Sequence, residues 1–322
     1  MRIGIVGCGI NGAYLAYRLA KRHKVTVFEK KKVVGKDVCS GIVSKRLWNH
    51  IPKNENLIIN DINEAKLHFP KKEVVLKFRP DMLILDRKKL DQYVASLAEK
   101  AGAEIKLGTE VDMVYNVKGM KPQVKVGKKV IEFDRLIGCD GFFSVVRKGV
   151  GIEQPKHRLG IYGYVKRKGD SKTVDIYPTE NGFCWKIPRK GTVEFGVMEM
   201  PDVASKMYKD FCKKNRTKPK KTYSYVIPGG LVDAAKGNVA LCGDAIGLTK
   251  PWSGGGVIWG LEAGDMLVKS FPNFSKYNSS LKLKFGTKIR TSRFARWLGV
   301  GLASKMPILA PKQFSFDSDW IF

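Results

Sequence analysis

Two stretches of the chain carry residue types suited to holding phosphates and sugar hydroxyls. Gly7-Cys8-Gly9-Ile10-Asn11-Gly12 has the spacing of a phosphate-cradling turn, and Glu29 lies 17 residues beyond Gly12. In such a turn Gly7 permits the tight bend, Gly9 lets a pyrophosphate approach the backbone, and Gly12 lets a helix pack closely on the preceding strand. The helix start adds unpaired N–H groups and a partial positive charge. A carboxylate at the end of the next strand can accept from ribose hydroxyls. Far along the chain, Gly243-Asp244-Ala245-Ile246-Gly247 and Pro251-Trp252-Ser253-Gly254-Gly255-Gly256 form a second glycine-rich turn. Two such turns point to a long ligand gripped at two places. Metal chemistry is not expected: the six cysteines are scattered without a CxxC pair, and the four histidines do not cluster with them. No disulfide framework is legible, and free thiols fit a reducing cytoplasm.

The elements that must position these residues follow from periodicity. An apolar run at residues 3–6, helical spacing from Ala13 to Ala20 and a second strand from Val25 to Phe28 build a dinucleotide-binding unit around the first turn. Leu67–Phe69 and Val74–Phe78 alternate about Pro70-Lys71-Lys72 and read as a hairpin. Asp86 to Gly102 reads as a helix. Short strands are expected at 104–114, 123–126 and 130–137, then at 160–166, 173–177, 184–187 and 192–198. Lys213 to Lys221 reads as a basic surface loop. A strand at Val239–Cys242 leads to the second turn, and a helix follows from Val257 to Phe271.

With 322 residues, 43% of them hydrophobic, the chain can bury a large core, which excludes global disorder, and its length suggests two folding units. Lysine and arginine number 59 against 30 acids, a net charge of +29. That excess suits an anionic partner (nucleic acid, a membrane surface or a phosphorylated substrate) or is a solvated lysine-rich surface. No nucleic-acid reading module is present, so no nucleic-acid partner is expected. No apolar run of about 18 residues occurs, so no membrane span is expected.

Three motifs together resemble the FAD proteins of the glutathione-reductase and p-hydroxybenzoate-hydroxylase fold group: the first glycine turn with Glu29, the run Cys139-Asp140-Gly141-Phe142-Phe143-Ser144-Val145-Val146-Arg147, and Gly243-Asp244. Phe183-Cys184-Trp185-Lys186-Ile187-Pro188, Cys39-Ser40-Gly41 and Ile227-Pro228-Gly229-Gly230 narrow the resemblance to the geranylgeranyl reductase family, of the archaeal digeranylgeranylglycerophospholipid reductase type. It covers roughly residues 1–270, with Phe183 where the family has Tyr and Ile187 where it has Phe.

The resemblance implies an α/β fold: a discontinuous FAD-binding Rossmann-like domain over 1–60, 82–157 and 229–275, an antiparallel-sheet substrate domain over 61–81 and 158–228, and a C-terminal helical segment over 276–322. It places Gly7, Gly9 and Gly12 at the pyrophosphate, Glu29 with Lys30 at the adenosine ribose, and Cys39, Ser40 and Gly41 near the flavin. Arg87 would reach the phosphate side and Val111 the adenine, and Asp140, Gly141, Asp244, Gly247, Gly255, Gly256 and Val257 complete the site. Phe183, Trp185 and Pro188 would border the substrate. Two of these stay open: Trp185 shapes a lipid channel or fills a core, and Cys39 tunes the flavin, protonates a substrate carbon or is a small buried hydrophobe.

The implied activity is saturation of prenyl C=C bonds in isoprenoid ether-lipid precursors, with an FAD-dependent monooxygenase or halogenase of the same fold as the alternative and a non-enzymatic flavoprotein as the third reading. The electron donor is open between ferredoxin, which a basic surface would suit, and NAD(P)H. In the tail, Lys282, Lys284, Lys288, Arg290, Arg293, Arg296 and Lys305 lie among Leu283, Phe285, Ile289, Phe294, Trp297, Leu298 and Val300. Such a helix can lie in an anionic membrane interface or simply cover the domain. The expected location is the cytoplasm, with peripheral contact on the inner face of the cell membrane.

Overall fold

The computed structural model describes residues 1–35, 39–117, 119–167, 171–305 and 311–319, with the backbone alone for 298–305 and 316. Strands β1 (Arg2–Val6) and β2 (Lys24–Phe28) each bury their last four residues, the pattern of strands covered on both faces of a parallel sheet. They lie in a six-stranded sheet ordered β16 (Ala235–Lys236), β17 (Val239–Leu241), β10 (Arg135–Gly138), β1, β2, β6 (Glu104–Lys106). Only β16 runs antiparallel to its neighbour. Helix α1 (Ile10–Leu19) packs between α2 (Arg87–Lys100) and α5 (Val257–Ser270), and α5 packs on α6 (Phe274–Lys305). A small sheet of β7 (Met113–Tyr115), β8 (Gln123–Val126) and β9 (Lys129–Glu132) shares the same core through Val114 and Val124. Beside it, α3 (Val145–Gly149) follows the turn after β10.

The second layer is a nine-stranded sheet. Its order is β15 (Thr222–Gly229), β11 (Lys156–Lys166), β14 (Thr192–Glu199), β13 (Phe183–Arg189), β12 (Thr173–Pro178), β4 (Ile58–Phe69), β5 (Lys72–Leu85) and β18 (Gln313–Asp317), with β3 (Ile42–Ser44) also pairing β5. Most pairs are antiparallel; β12 with β4 and β18 with β5 are parallel. Alternation sorts its residues to two faces: Trp185, Ile187, Met198 and Ile227 share one apolar cluster with β4 and β5, whereas Cys184, Phe195 and Val197 pack with α4 (Pro201–Lys214) on the other.

The expected α/β architecture with a second antiparallel sheet is what the chain forms. The Pro70-Lys71 turn closes the β4–β5 hairpin, with Lys72 already in β5. The apolar stretch at 104–114 divides into β6 and β7, which belong to different sheets. The basic stretch at 213–221 begins inside α4, whose lysines Lys213 and Lys214 sit in the last turn, where cations are favoured. The C-terminal segment is not all helix: after α6 comes β18, whose Gln-Phe-Ser-Phe-Asp alternation is that of a half-buried strand. Both β3 and β18 join the nine-stranded sheet, so the two ends of the chain each lend it a strand. No helix among the described residues is long and apolar enough to cross a membrane.

Candidate functional site: a two-ended cavity

A cavity of about 480 Å³ opens between the two large sheets. Its polar end is made by the turns that follow β1, β2 and β10 together with the loop entering α5. At the first turn Gly7 has φ +93°, and a Cβ there would stand 2.5 Å from the Cys139 carbonyl oxygen. Only glycine lets the ends of β1 and β10 approach so closely. Gly9 is the N-cap of α1 and makes no side-chain cap, and Gly256 is the equally uncapped N-cap of α5. Two helix starts thus present free amides and positive dipole ends to one cavity.

Acidic and amide groups surround these helix starts. The Glu29 carboxylate accepts from the amides of Cys8 (2.8 Å) and Lys31 (3.0 Å), which ties the end of β2 to the glycine turn. Asp140 Oδ2 accepts from the Val146 amide, while its Oδ1 is buried without a partner. Burial raises the pKa of Asp140, against hydrogen bonds from Ser144 and nearby amides. Asn11 Oδ1 is likewise buried and unpartnered. Its amide wedges between Gly243 and Gly260, where an added Cβ would stand 2.0 and 2.4 Å from Asn11 atoms. These orphaned acceptors and the two amide-rich helix starts fit a ligand that brings both hydroxyl donors and phosphate oxygens.

The other end is apolar. Phe78, Met82, Ile176, Phe183, Trp185 and Met198 line it from the nine-stranded sheet. Trp185 Nε1 donates to Glu194 (2.8 Å), whose second oxygen pairs with Arg189 (2.6 Å), and Arg189 donates on to the Ser40 carbonyl. Glu194 is fully buried, so its charge is held by this pairing. The chain of contacts fixes the loop carrying Cys39 and Ser40 over the cavity. Cys39 itself donates its amide to Tyr162 (3.1 Å) and receives Arg87 Nη1 at Sγ (3.1 Å). Arg87 is buried, which acts to lower its pKa, but Asp91 and Cys39 raise it further and keep it charged.

Of the residues expected from the sequence, Gly7, Gly9, Glu29, Lys30, Cys39, Ser40, Arg87, Val111, Asp140, Gly141, Phe183, Trp185, Asp244, Gly255, Gly256 and Val257 converge on this one cavity. Four do not line it. A Cβ at Gly12 would stand 1.9 Å from the Gly7 carbonyl oxygen, so Gly12 packs α1 on the turn. Gly41 (φ +73°) presses on the Leu85 carbonyl and Gly247 (φ +71°) on the Gly230 carbonyl, and both serve the backbone path. Pro188 falls on the opposite phase of β13 from Phe183, Trp185 and Ile187. Within the wall Arg87 donates to Cys39 Sγ and to Asp91.

Sequence reasoning passed over Asn11, Phe143, Lys250 and the strand residues of the apolar wall. Lys250 is buried and pairs with Asp319 (2.8 Å), which also accepts from Ser44 (2.6 Å) and Arg46. A lysine inside the apolar, glycine-rich run from Ala245 to Gly256 was the available signal. In α6, Phe285 and Ile289 are core residues, and Lys282 pairs with Asp233 while Lys284 and Lys288 face Glu262. Leu283, Phe294 and Trp297 stand exposed. The side chains of Leu298, Val300 and Lys305 lie outside the described residues.

A family model described as an NAD(P)-binding Rossmann-like domain matches residues 5–47, a span that holds the glycine turn, α1, β2 and β3. Among curated proteins, "Digeranylgeranylglycerophospholipid reductase 1" of Methanosphaera stadtmanae is 28% identical over 308 residues, covering 84% of this chain and 76% of its own length. The chain is a homologue of the archaeal digeranylgeranylglycerophospholipid reductases. Among solved structures, a geranylgeranyl bacteriochlorophyll reductase-like protein from Thermoplasma acidophilum superposes with a TM-score of 0.81 over 95% of this chain and 89% of its own, at 18% identity. A tryptophan 6-halogenase from Streptomyces toxytricini reaches a TM-score of 0.74 over 92% of this chain and 78% of its own, at 16% identity. At these identities the geranylgeranyl reductase homologue and the halogenase share a fold, and the fold alone does not separate their chemistries.

Proposed function

We propose that the polar end of the cavity holds FAD, that the apolar end takes a prenyl chain, and that the protein saturates isolated prenyl C=C bonds of an isoprenoid ether-lipid precursor. The observation that carries this reading is the continuity of one cavity from two uncapped helix starts to an apolar sheet face. Gly7, Gly9 and the start of α1 would cradle the pyrophosphate, Glu29 and Lys30 the adenosine ribose, and Val111 the adenine. Asp140, Gly141, Asp244 and the start of α5 would meet the rest of the cofactor. FAD, when bound, supplies the two-electron reducing chemistry. The chain must do the remainder. An isolated alkene is poorly polarised, so Phe183, Trp185 and their neighbours hold it at near-attack distance and keep water out. Cys39 Sγ, which Arg87 orients, is the proposed atom for holding the proton that completes the saturated carbon.

Exposed Leu283, Phe294 and Trp297, with Arg290, support peripheral contact with an anionic bilayer on its cytoplasmic side. The basic surface suits an acidic ferredoxin as donor, with NAD(P)H as the competing choice. The test is anaerobic: reduce the flavin-loaded protein with dithionite, add a geranylgeranyl glycerophospholipid and weigh the product. Mass gains in steps of two hydrogens support the reductase. Bound flavin without a gain, but with fast oxygen-dependent reoxidation, would transfer the assignment to a monooxygenase.

A further inference from the structure

A buried cation sits in the loop that enters α5. The Lys250 amide donates to the Gly255 carbonyl (3.1 Å) and the Gly254 amide to the Lys250 carbonyl (3.0 Å), so residues 250–255 close on themselves just before the helix. The lysine stem lies against this loop, its Cδ 3.8 Å from where a Cβ on Gly255 would stand. Its Nζ donates to Asp319 Oδ1 (2.8 Å) and to the Ser318 carbonyl (3.2 Å). Asp319 is itself fixed from three elements. Ser44 (2.6 Å) and Arg46 (3.1 Å) donate to its other carboxylate oxygen, and Trp259 on α5 donates Nε1 to its carbonyl (2.8 Å). Burial lowers the Lys250 pKa, against the charge and hydrogen bond of Asp319.

The pair has a direction. Lys250 lines the cavity and Asp319 does not, so the pair turns its positive end inward. The uncapped start of α5 at Gly256 does the same, and the two dipoles add in a place shielded from water. Their position decides what they act on. A Cβ at Gly254 would touch Ile227 and Met198, which line the apolar end. The loop therefore stands at the junction of the polar and apolar ends, where the reacting ring of a flavin would meet a C=C bond. Charge beside that ring is one of the means by which a protein sets its electronics. We infer that Lys250, oriented by Asp319, sets the reduction potential of the bound flavin: with the start of α5 it stabilises the negative charge that the ring gains when two electrons and one proton are added. This rests on the reading of the polar end as an FAD site. It makes the flavin easier to reduce, so that a milder electron donor suffices.

The experiment reads the flavin itself. The FAD-loaded protein is reduced without oxygen by xanthine and xanthine oxidase beside a reference dye, the electrons coming from xanthine and the proton from the buffer. The wild-type potential should lie above that of free FAD by about 30 mV or more, a ten-fold shift in the equilibrium of a two-electron couple. Lys250→Met should lower it by about as much, because the Asp319 charge stays behind. Lys250→Met/Asp319→Leu removes both charges and should lower it by less, in the same sense. Sulfite adds to oxidised flavin and leaves a negative charge on the ring, so Lys250→Met should bind it about ten-fold more weakly. Variants that keep the wild-type potential and sulfite affinity overturn the inference. So does a wild-type potential at or below that of free FAD, which decides the matter even if neither variant retains flavin. A protein that takes up no FAD fails the reading of the polar end and the inference with it. The expected shifts with no C=C bond reduced would sink the prenyl reading and leave Lys250 in its role.

Discussion

Lys250 in the cavity wall and Asp319 behind it form an ion pair in which both charges are buried, as do Arg87–Asp91 and Arg189–Glu194. Removing one partner of such a pair leaves an uncompensated charge and costs about 3–5 kcal/mol. Asp319→Ala should lower stability by that order in urea denaturation, and the double variant Lys250→Met/Asp319→Leu should recover much of it. Recovery would show that the cost came from the orphaned lysine and not from the lost bonds to Ser44 and Arg46. A second prediction concerns acid. Burial pushes Asp265 up, but hydrogen bonds from His50 and Tyr14 and the charge of Arg18 outweigh it and leave its pKa below the usual carboxylate value. A carboxylate depressed in the folded state contributes stability above its unfolded pKa and loses it as pH falls through the folded value. Thermal melts should therefore hold steady from neutrality down and fall below about pH 4. Asp265→Asn should melt lower at neutral pH and show a shallower fall in acid.

At the scale of elements, the first turn separates two glycines that a motif treats alike. Nothing lies within 4 Å of a Cβ added at Gly9, whereas one at Gly12 would stand 1.9 Å from a backbone oxygen. Gly9→Ala should leave the melting temperature of the flavin-free protein unchanged while weakening FAD binding, measured by flavin fluorescence. Gly12→Ala should destabilise the protein with or without flavin. What was legible in the sequence at this scale was local: Gly7 to Gly12, Glu29, Asp140-Gly141 and Gly255 to Val257 are short patterns, and they converge. What escaped was non-local or degenerate. Met82, Ile176 and Met198 alternate like any core strand residues, and period-two patterning does not tell a cavity wall from a packed interior. Pro188 belongs to the motif that points to the substrate, although its parity in β13 turns it away. Asn11 is explained only by Gly243 and Gly260, far along the chain.

For the molecule as a whole, the net charge of +29 is spread over a fold whose buried ion pairs, among the described residues, are few. Self-repulsion should therefore be a real part of its stability. Raising monovalent salt from about 0.01 M to about 0.15 M shortens the screening length from about 30 Å to about 8 Å, and the melting temperature should rise with it. A flat or falling trend would mean that exposed ion pairs such as Lys45–Asp81 outweigh the repulsion.

The strand β18 and Asp319 also set an order of events in the life of the chain. Ser44 and Lys250 face the cavity, yet the carboxylate that holds both comes 275 residues after Ser44. Synthesis runs from the first residue at about 5–20 residues per second. The glycine turn and β2 therefore leave the ribosome many seconds before the counter-ion that finishes the wall. Until Asp319 has been made, Ser44 and Lys250 lack the carboxylate they share, so this part of the wall is completed late in synthesis.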